Sequence, residues 1–262
     1  MIKTIYQHGV ELTKFSSVLW QLVRQQLILR YRRTALGYLW TLVNPLLMMS
    51  VTAVVFATLF KVELKTFAIF LFAGMIPWNL FNSSVVQSSS SFINNEGLIK
   101  KIYLPKLLFP LSVSLGVLID SFLSFIALFL IIILLGGTFS WTLFLIPFAF
   151  ILLFLFTFGI ALVISVATVF FRDLQYIMTV AMQALFFLTP IMYKKDMLGG
   201  KIAWLVSLNP IVPFIELFRE PLNAASLPSL STVIHAALIA IISMVIGLSV
   251  FIKYEHKIVF RL

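Results

Sequence analysis

The sequence predicts an all-α protein threaded several times through a membrane, and three observations lead there. Hydrophobic residues fill 61% of the 262 positions and charged residues 11%, far from the balance of a soluble domain. The apolar residues fall in runs long enough to cross a hydrocarbon layer, which takes about 20 residues of helix. The charges gather at the ends of those runs. The formal net charge of +10 therefore reads as topology and headgroup contact, not as a nucleic-acid footprint. The whole chain, 1–262, reads as one membrane domain with no room for a separate soluble one.

The first fourteen residues contain Lys3, Glu11 and Lys14 and no apolar core, so they do not read as a signal peptide. Residues 15–33 follow. Phe15, Val18, Leu19 and Leu22 recur at helical spacing opposite Ser17, Gln21, Arg24 and Gln25, the pattern of an amphipathic helix lying in the membrane interface. Arg30, Arg32 and Arg33 then form a cationic knot, and residues 34–60 carry no charge. That stretch is the first spanning helix, with its arginine end held inside. Tyr38, Thr41, Pro45, Met48, Thr52 and Phe56 share one of its faces.

Five further spans are expected at 67–92, 106–135, 142–170, 174–193 and 229–252, which puts both termini on the inner, cytoplasmic side. Thirteen of the 19 lysines and arginines fall on that side and six on the other. The second span is polar in its inner half, NSSVVQSSSSF, so that half either faces a neighbour or a wet cavity, or already lies in the cytosol. An unbroken apolar run from 142 to 192 is too long for one crossing, and Arg172-Asp173 supplies the break. Tyr176, Gln183, Phe187 and Pro190 share a face of the fifth span.

Two connecting segments stand out. Residues 94–105 are short, charged and interrupted by Pro105. Leu98, Ile99 and Ile102 make a small apolar face beside Lys100 and Lys101, suited either to docking on a soluble partner or to an ordinary surface loop. Residues 194–228 contain IAWLVSLNP and IVPFIELF, apolar pieces too short to span and broken by proline. They read as re-entrant or interfacial half-helices on the outer side.

Motifs for catalysis are missing from the sequence. There is no phosphate-cradling GxxxxGK[ST], no GxSxG and no HExxH. His8, His235 and His256 lack metal-ligand spacing. With no cysteine there is neither disulfide nor thiolate chemistry, which leaves the redox compartment open. No cofactor and no metal are expected in this chain, and energy for transport must come from elsewhere. Asp120, near the middle of the third span, must be paired, hydrated or protonated. It is either a hydrogen-bonded packing residue or the site of an ion-coupled carrier. The aromatic faces of the first and fifth spans are either helix packing or a track for sugar rings, whose C–H faces stack on aromatics.

Three stretches, RYRRTALGYLWTLVNPLL (30–47), LIKKIYLPKLLFPLS (98–112) and FFRDLQ (170–175), resemble in sequence and order the permeases of polysaccharide-exporting ABC transporters, the Wzm-type O-antigen exporters, with teichoic acid and capsule exporters as relatives. The resemblance implies a homodimer of this chain in the bacterial inner membrane, driven by two copies of an ATP-binding subunit that carries ATP and Mg. The cargo it implies is a polysaccharide linked to undecaprenyl diphosphate. It makes Glu96, Gly97, Leu98, Ile99, Lys100 and Lys101 the coupling segment against the ATPase, and 194–228 a pair of gate helices. Arg30, Arg32 and Arg33 become candidates for the lipid headgroup, since guanidinium forks suit phosphate oxygens. Tyr38, Thr41, Thr52, Phe56, Tyr176, Gln183 and Phe187 become candidates for the sugar path. A small-molecule ABC permease would share the architecture.

Overall fold

The structure is a computed structural model that describes residues 10–30, 34–134, 140–194, 199–224 and 226–262. Among these residues every regular element is helical. In chain order the α-helices are α1 (Ser16–Arg30), α2 (Trp40–Phe60), α3 (Leu64–Ser89), α4 (Glu96–Lys101), α5 (Leu108–Leu134), α6 (Ile146–Phe170), α7 (Leu174–Phe187), α8 (Gly200–Ser207), α9 (Val212–Arg219) and α10 (Leu230–Arg261). Five segments are long and apolar enough to cross a membrane: Gly37–Phe60, Leu64–Ser89, Leu108–Ile133, Trp141–Phe170 and Leu230–Arg261. The protein is an all-α integral membrane protein, as expected.

The fifth crossing is built differently from expectation. Helix α7 has 14 residues and ends at Phe187, six short of the expected 193. At about 1.5 Å per residue it reaches roughly 21 Å, less than the ~30 Å of hydrocarbon. Pro190 is the cause, because the residue before a proline is pushed out of the helical region and the helix stops ahead of it. The chain still returns across the bundle here. Helices α6 and α10 run parallel, with Phe156 beside Ser243, Gly159 beside Gly247 and Arg172 beside Leu262. The chain leaving α6 must therefore travel back to the far end before α10 begins. Helix α7 makes most of that return, and the turn after it, with α8 and α9, completes it.

Other boundaries moved too. Helix α3 starts at Leu64, three residues early, because Glu63 is extended and serves as its N-cap position. Helix α10 runs to Arg261, nine residues past the expected end. Lys253, Glu255, His256 and Lys257 change the solvent of the helix but do not break it, since none is a poor helix former on the scale of glycine or proline.

Two apolar clusters hold the bundle. The larger joins α2, α3, α6 and α9 through residues such as Met49, Leu71, Phe81, Phe156 and Phe214. The smaller closes the end that carries α4, with Leu22, Phe92, Ile99, Phe109, Leu162 and Ile258 buried together. Helix α1 lies against this end. Its apolar stripe faces the bundle: Leu22 is buried, and Phe15, Val18 and Leu19 pack on the same cluster. The polar half of α3 is also resolved. Ser84, Ser88 and Ser89 are buried among neighbouring helices and not laid out in water.

Candidate functional site

A polar cavity of about 340 Å³ opens between α2, α3 and α5. Helix α2 contributes Thr41, Asn44, Pro45 and Met48; α3 contributes Asn79 and Ser83; α5 contributes Asp120, Ser121 and Ser124. The sequence spacing explains the wall. Asn79 and Ser83 are four apart on α3, and Asp120 and Ser124 four apart on α5, so each pair shares a face and the faces meet. The Tyr38 hydroxyl donates to Asp120 Oδ1 at 2.8 Å. The Thr41 hydroxyl donates to the Tyr38 carbonyl at 2.7 Å and Ser124 to the Asp120 carbonyl at 2.9 Å. A carboxylate this deep needs such partners. Chemically the cavity offers amides, hydroxyls and one carboxylate, a set that binds hydroxylated or hydrated ligands and holds no nucleophile with a base beside it.

The residues expected along the sugar path do not form one site. Tyr38 bonds Asp120 and Thr41 lines the cavity. Thr52 and Phe56 continue along α2, half-buried, with the Thr52 hydroxyl donating to the Met48 carbonyl. Phe56 opens a run of rings, Phe56–Phe60–Phe67–Phe70, with centroids 5.7, 6.0 and 6.1 Å apart. Phe60, Phe67 and Phe70 line a second cavity of about 370 Å³ with Glu63, Thr66, Tyr193 and Lys194. Its rings straddle the α2–α3 turn, a pairing that single-helix spacing does not reveal. Tyr176, Gln183 and Phe187 lie apart, on the exposed face of α7. Arg32 and Arg33 lie outside the described residues, and Arg30 is the last residue of α1.

The segment Glu96–Lys101 is a helix, α4, as short as expected. Its apolar residues divide. Ile99 turns inward and is buried in the smaller cluster, whereas Ile102 is 55% and Tyr103 79% exposed. Leu98 packs on the cluster as well, so the surface left for a partner is Gly97, Lys100, Lys101, Ile102 and Tyr103. Lys100 Nζ bonds Glu96 Oε1 at 2.6 Å. That hydrogen bond, with the charges of Lys100 and Arg172, holds the Glu96 carboxyl below its ordinary value.

At the opposite end, α8 and α9 form the short pair expected from 194–228. Two residues stitch them to the bundle. Asn209, in the Asn-Pro turn between them, donates to Thr189 Oγ1 at 2.8 Å. Arg219 donates to the carbonyls of Pro190 and Ile191 at 2.7 Å each and to that of Phe70 at 3.4 Å. Its guanidinium stacks 3.7 Å from the Phe70 ring and occupies the space beside Gly74 that a side chain would fill. Sequence reading counted Arg219 only as an outer charge. The signal was there, an arginine ending an apolar helix too short to span, which asks for carbonyl partners.

Taken together, these features define a polytopic helical transporter subunit: polar and aromatic cavities inside the bundle, an exposed short helix at one end and a latched half-helix pair at the other. The chain belongs to the ABC-2 type transporter family, whose sequence model matches residues 17–223. It is 32% identical over 241 residues to an O-antigen export system permease protein RfbA of Klebsiella pneumoniae, covering 90% of this chain and 91% of that protein. It is 28% identical over 243 residues to the RfbA of Myxococcus xanthus, covering 92% and 94%. The polysialic acid transport protein KpsM of Escherichia coli is 24% identical over 234 residues, covering 87% and 89%.

Proposed function

We propose that this chain is the membrane subunit of an exporter that moves undecaprenyl-diphosphate-linked polysaccharide, of the O-antigen kind, across the bacterial inner membrane. Two copies enclose the path, and two copies of a separate ATP-binding subunit drive it. The observation that carries this reading is the lining. Amides, hydroxyls and the one Asp120 carboxylate at the α2–α3–α5 cavity give way along α2 to a run of four phenylalanine rings toward the α8–α9 end. Such a surface meets hydroxyls and C–H faces of sugars without fixing one geometry, so a polymer can slide. The names of the relatives, which cover nine-tenths of the chain, support the same cargo. The exposed faces of α2 (Leu47, Val51, Val54) and α7 (Tyr176, Gln183, Phe187) are the surfaces on which a second copy completes the path. The α4 end, both termini and the Arg30 to Arg33 knot are cytoplasmic, where a diphosphate headgroup enters beside the arginines.

Deleting the gene removes polymer from the cell surface and leaves lipid-linked polymer inside; restoration by the wild-type gene completes the test. Surface polymer unchanged by the deletion overturns the reading. The ATP-binding subunit meets the exposed rim of α4. Tyr103→Ala with Ile102→Asp therefore lowers its co-purification at least about ten-fold, the loss expected for a contact residue worth over ~1.4 kcal/mol. Retained subunit moves the contact elsewhere.

A further inference from the structure

A third cavity, of about 330 Å³, lies at the α4 end between α1 and the last turns of α3. Its walls are Leu22, Gln25, Gln26, Gln87, Ser90, Ser91, Asn94 and Asn95. Five carboxamides and two hydroxyls meet there, and among the described residues no charged side chain lines it. The same face of α3 that lines the deeper cavity continues to it, because Asn79, Ser83, Gln87, Ser90 and Asn94 recur every three or four residues. On α5, Ser112, Gly116, Asp120 and Ser124 recur every four. The first two lie against Gln26 of α1, which donates to Ser112 Oγ at 3.4 Å and sits 3.7 Å from the open space at Gly116. Two polar stripes thus run side by side from this groove to the Asp120 cavity, with α1 covering one end and α2 the other. Ser91, on the groove wall, is 2% exposed, and its hydroxyl has no hydrogen-bond partner among the described residues. Such a buried hydroxyl costs free energy until something completes it.

We propose that this groove is a binding site for a neutral sugar unit of the exported polymer, on the side from which the polymer arrives; the proposal rests on the export reading above. The chemistry selects the ligand class. Each carboxamide both donates and accepts, matching neighbouring sugar hydroxyls that do the same. The uncharged walls exclude a diphosphate or a metal ion as the occupant, since neither leaves water for an uncompensated site. The volume falls at the small end of ligand pockets, ~300–1,000 Å³, which fits one or two sugar rings and no folded partner. The polar stripes give a bound sugar a hydrogen-bonded way onward to Asp120.

The chain has no cysteine, so Asn94→Cys on the exposed rim places a single thiol in it. The probe is a neutral oligosaccharide cut from the host's own surface polymer, without its lipid carrier. It is added to the purified two-subunit complex in nanodiscs while maleimide labelling of that thiol is timed. At twice its dissociation constant the oligosaccharide slows labelling about three-fold. Equimolar pyrophosphate leaves the rate unchanged, and Gln87→Leu in the same chain removes the protection. Equal rates with and without oligosaccharide overturn the proposal. So does protection that survives Gln87→Leu. Failure of the export reading is separate: it shows as unchanged surface polymer in the deletion strain. A Gln87→Leu chain that reaches wild-type levels in the membrane and exports fully refutes the groove while leaving export standing.

Discussion

The α6–α10 seam and the α2–α3–α5 seam cross the same bilayer and are built from opposite materials. In the first, Gly159 lies against Ser243 and Gly247 so closely that a Cβ on either glycine would overlap the backbone of the other helix. Ser243 spaced four from Gly247 is the small-residue pattern that lets backbones approach in lipid, and the Ser243 hydroxyl donates across the seam to the Phe156 carbonyl at 2.8 Å. In the second seam the helices stand far enough apart to leave a cavity of about 340 Å³ walled by polar groups. Only Thr41, Met49, Ala53 and Ala57 of α2 are buried. Lipid tails are as apolar as leucine, so burial of apolar surface does not drive helices together in a membrane, and backbone approach does most of the joining. The dry seam is therefore a strut. The polar seam, joined by hydrogen bonds that can be exchanged for those of a ligand, is where the bundle can open at low cost.

The largest effect should come from the strut. Gly247→Leu forces a side chain into the Gly159 backbone, which no rotamer relieves, so the helices must part. We expect the protein to fall to background in membranes, read by immunoblot and by detergent size exclusion. Gly116→Ala, on the polar face of α5 where α1 covers it, is the control. The nearest atom to its new Cβ, Gln26 Oε1, is an ordinary 3.7 Å away. That variant should accumulate as the wild type does; a loss equal to that of Gly247→Leu would erase the distinction between the seams. Arg219 comes next, since it holds the half-helix pair to α3 and to the turn after α7 through three carbonyls. Arg219→Met strands those carbonyls and should cost on the order of 3 kcal/mol. Thermal unfolding in detergent should rank Met below Lys and Lys below Arg, because lysine recovers charge but neither the fork nor the stack on Phe70.

The same contrast decides what could be read from the sequence. The first span was legible because it lies between charges, and α2 does stop at Lys61. The break at Arg172-Asp173 was legible because length demanded one. The early end of α7 was not, since the apolar residues run on past Thr189 and only the geometry of Pro190 ends the helix. The polar half of α3 was visible as polar, yet its meaning needed α5 laid beside it, and helix pairing is a non-local fact. The same holds for Gly159 with Gly247, whose partnership appears nowhere in local spacing. For the site, Tyr38 and Thr41 were singled out as one face of the first span and Asp120 on separate grounds; that Thr41 and Asp120 line one cavity, with Tyr38 bonded to Asp120, is a product of the fold. Ile99 shows the reverse case. As part of a small apolar face it looked available for docking, and packing against Phe92 and Phe109 claims it first.

Smaller effects sharpen the polar seam. Tyr38→Phe removes the hydroxyl that reaches Asp120 and should lower stability by about 1 kcal/mol, with Asp120→Asn, which keeps an acceptor, costing less. The double variant should cost less than the sum, because the two residues share one bond. Strict additivity in detergent unfolding would mean that the bond contributes nothing to holding α2 on α5.

The smallest effect lies outside the membrane, at α4. Lys100 holds the Glu96 carboxyl below its ordinary value through a hydrogen bond and its charge, with Arg172 adding to it. A depressed folded-state value means the folded protein binds the proton less readily than the unfolded chain. The stabilisation is therefore complete above the unfolded carboxylate value and is lost as pH falls through the folded one. Both groups are solvent-screened, so Glu96→Gln should leave unfolding at neutral pH nearly unchanged. Its trace should appear as a slightly flatter fall of stability on the acid side. An equal loss at neutral and acid pH would assign Glu96 to a contact other than Lys100. On the proposed reading, in which the ATP-binding subunit meets α4, that helix would then be part of the rigid body instead of a lever on the polar seam.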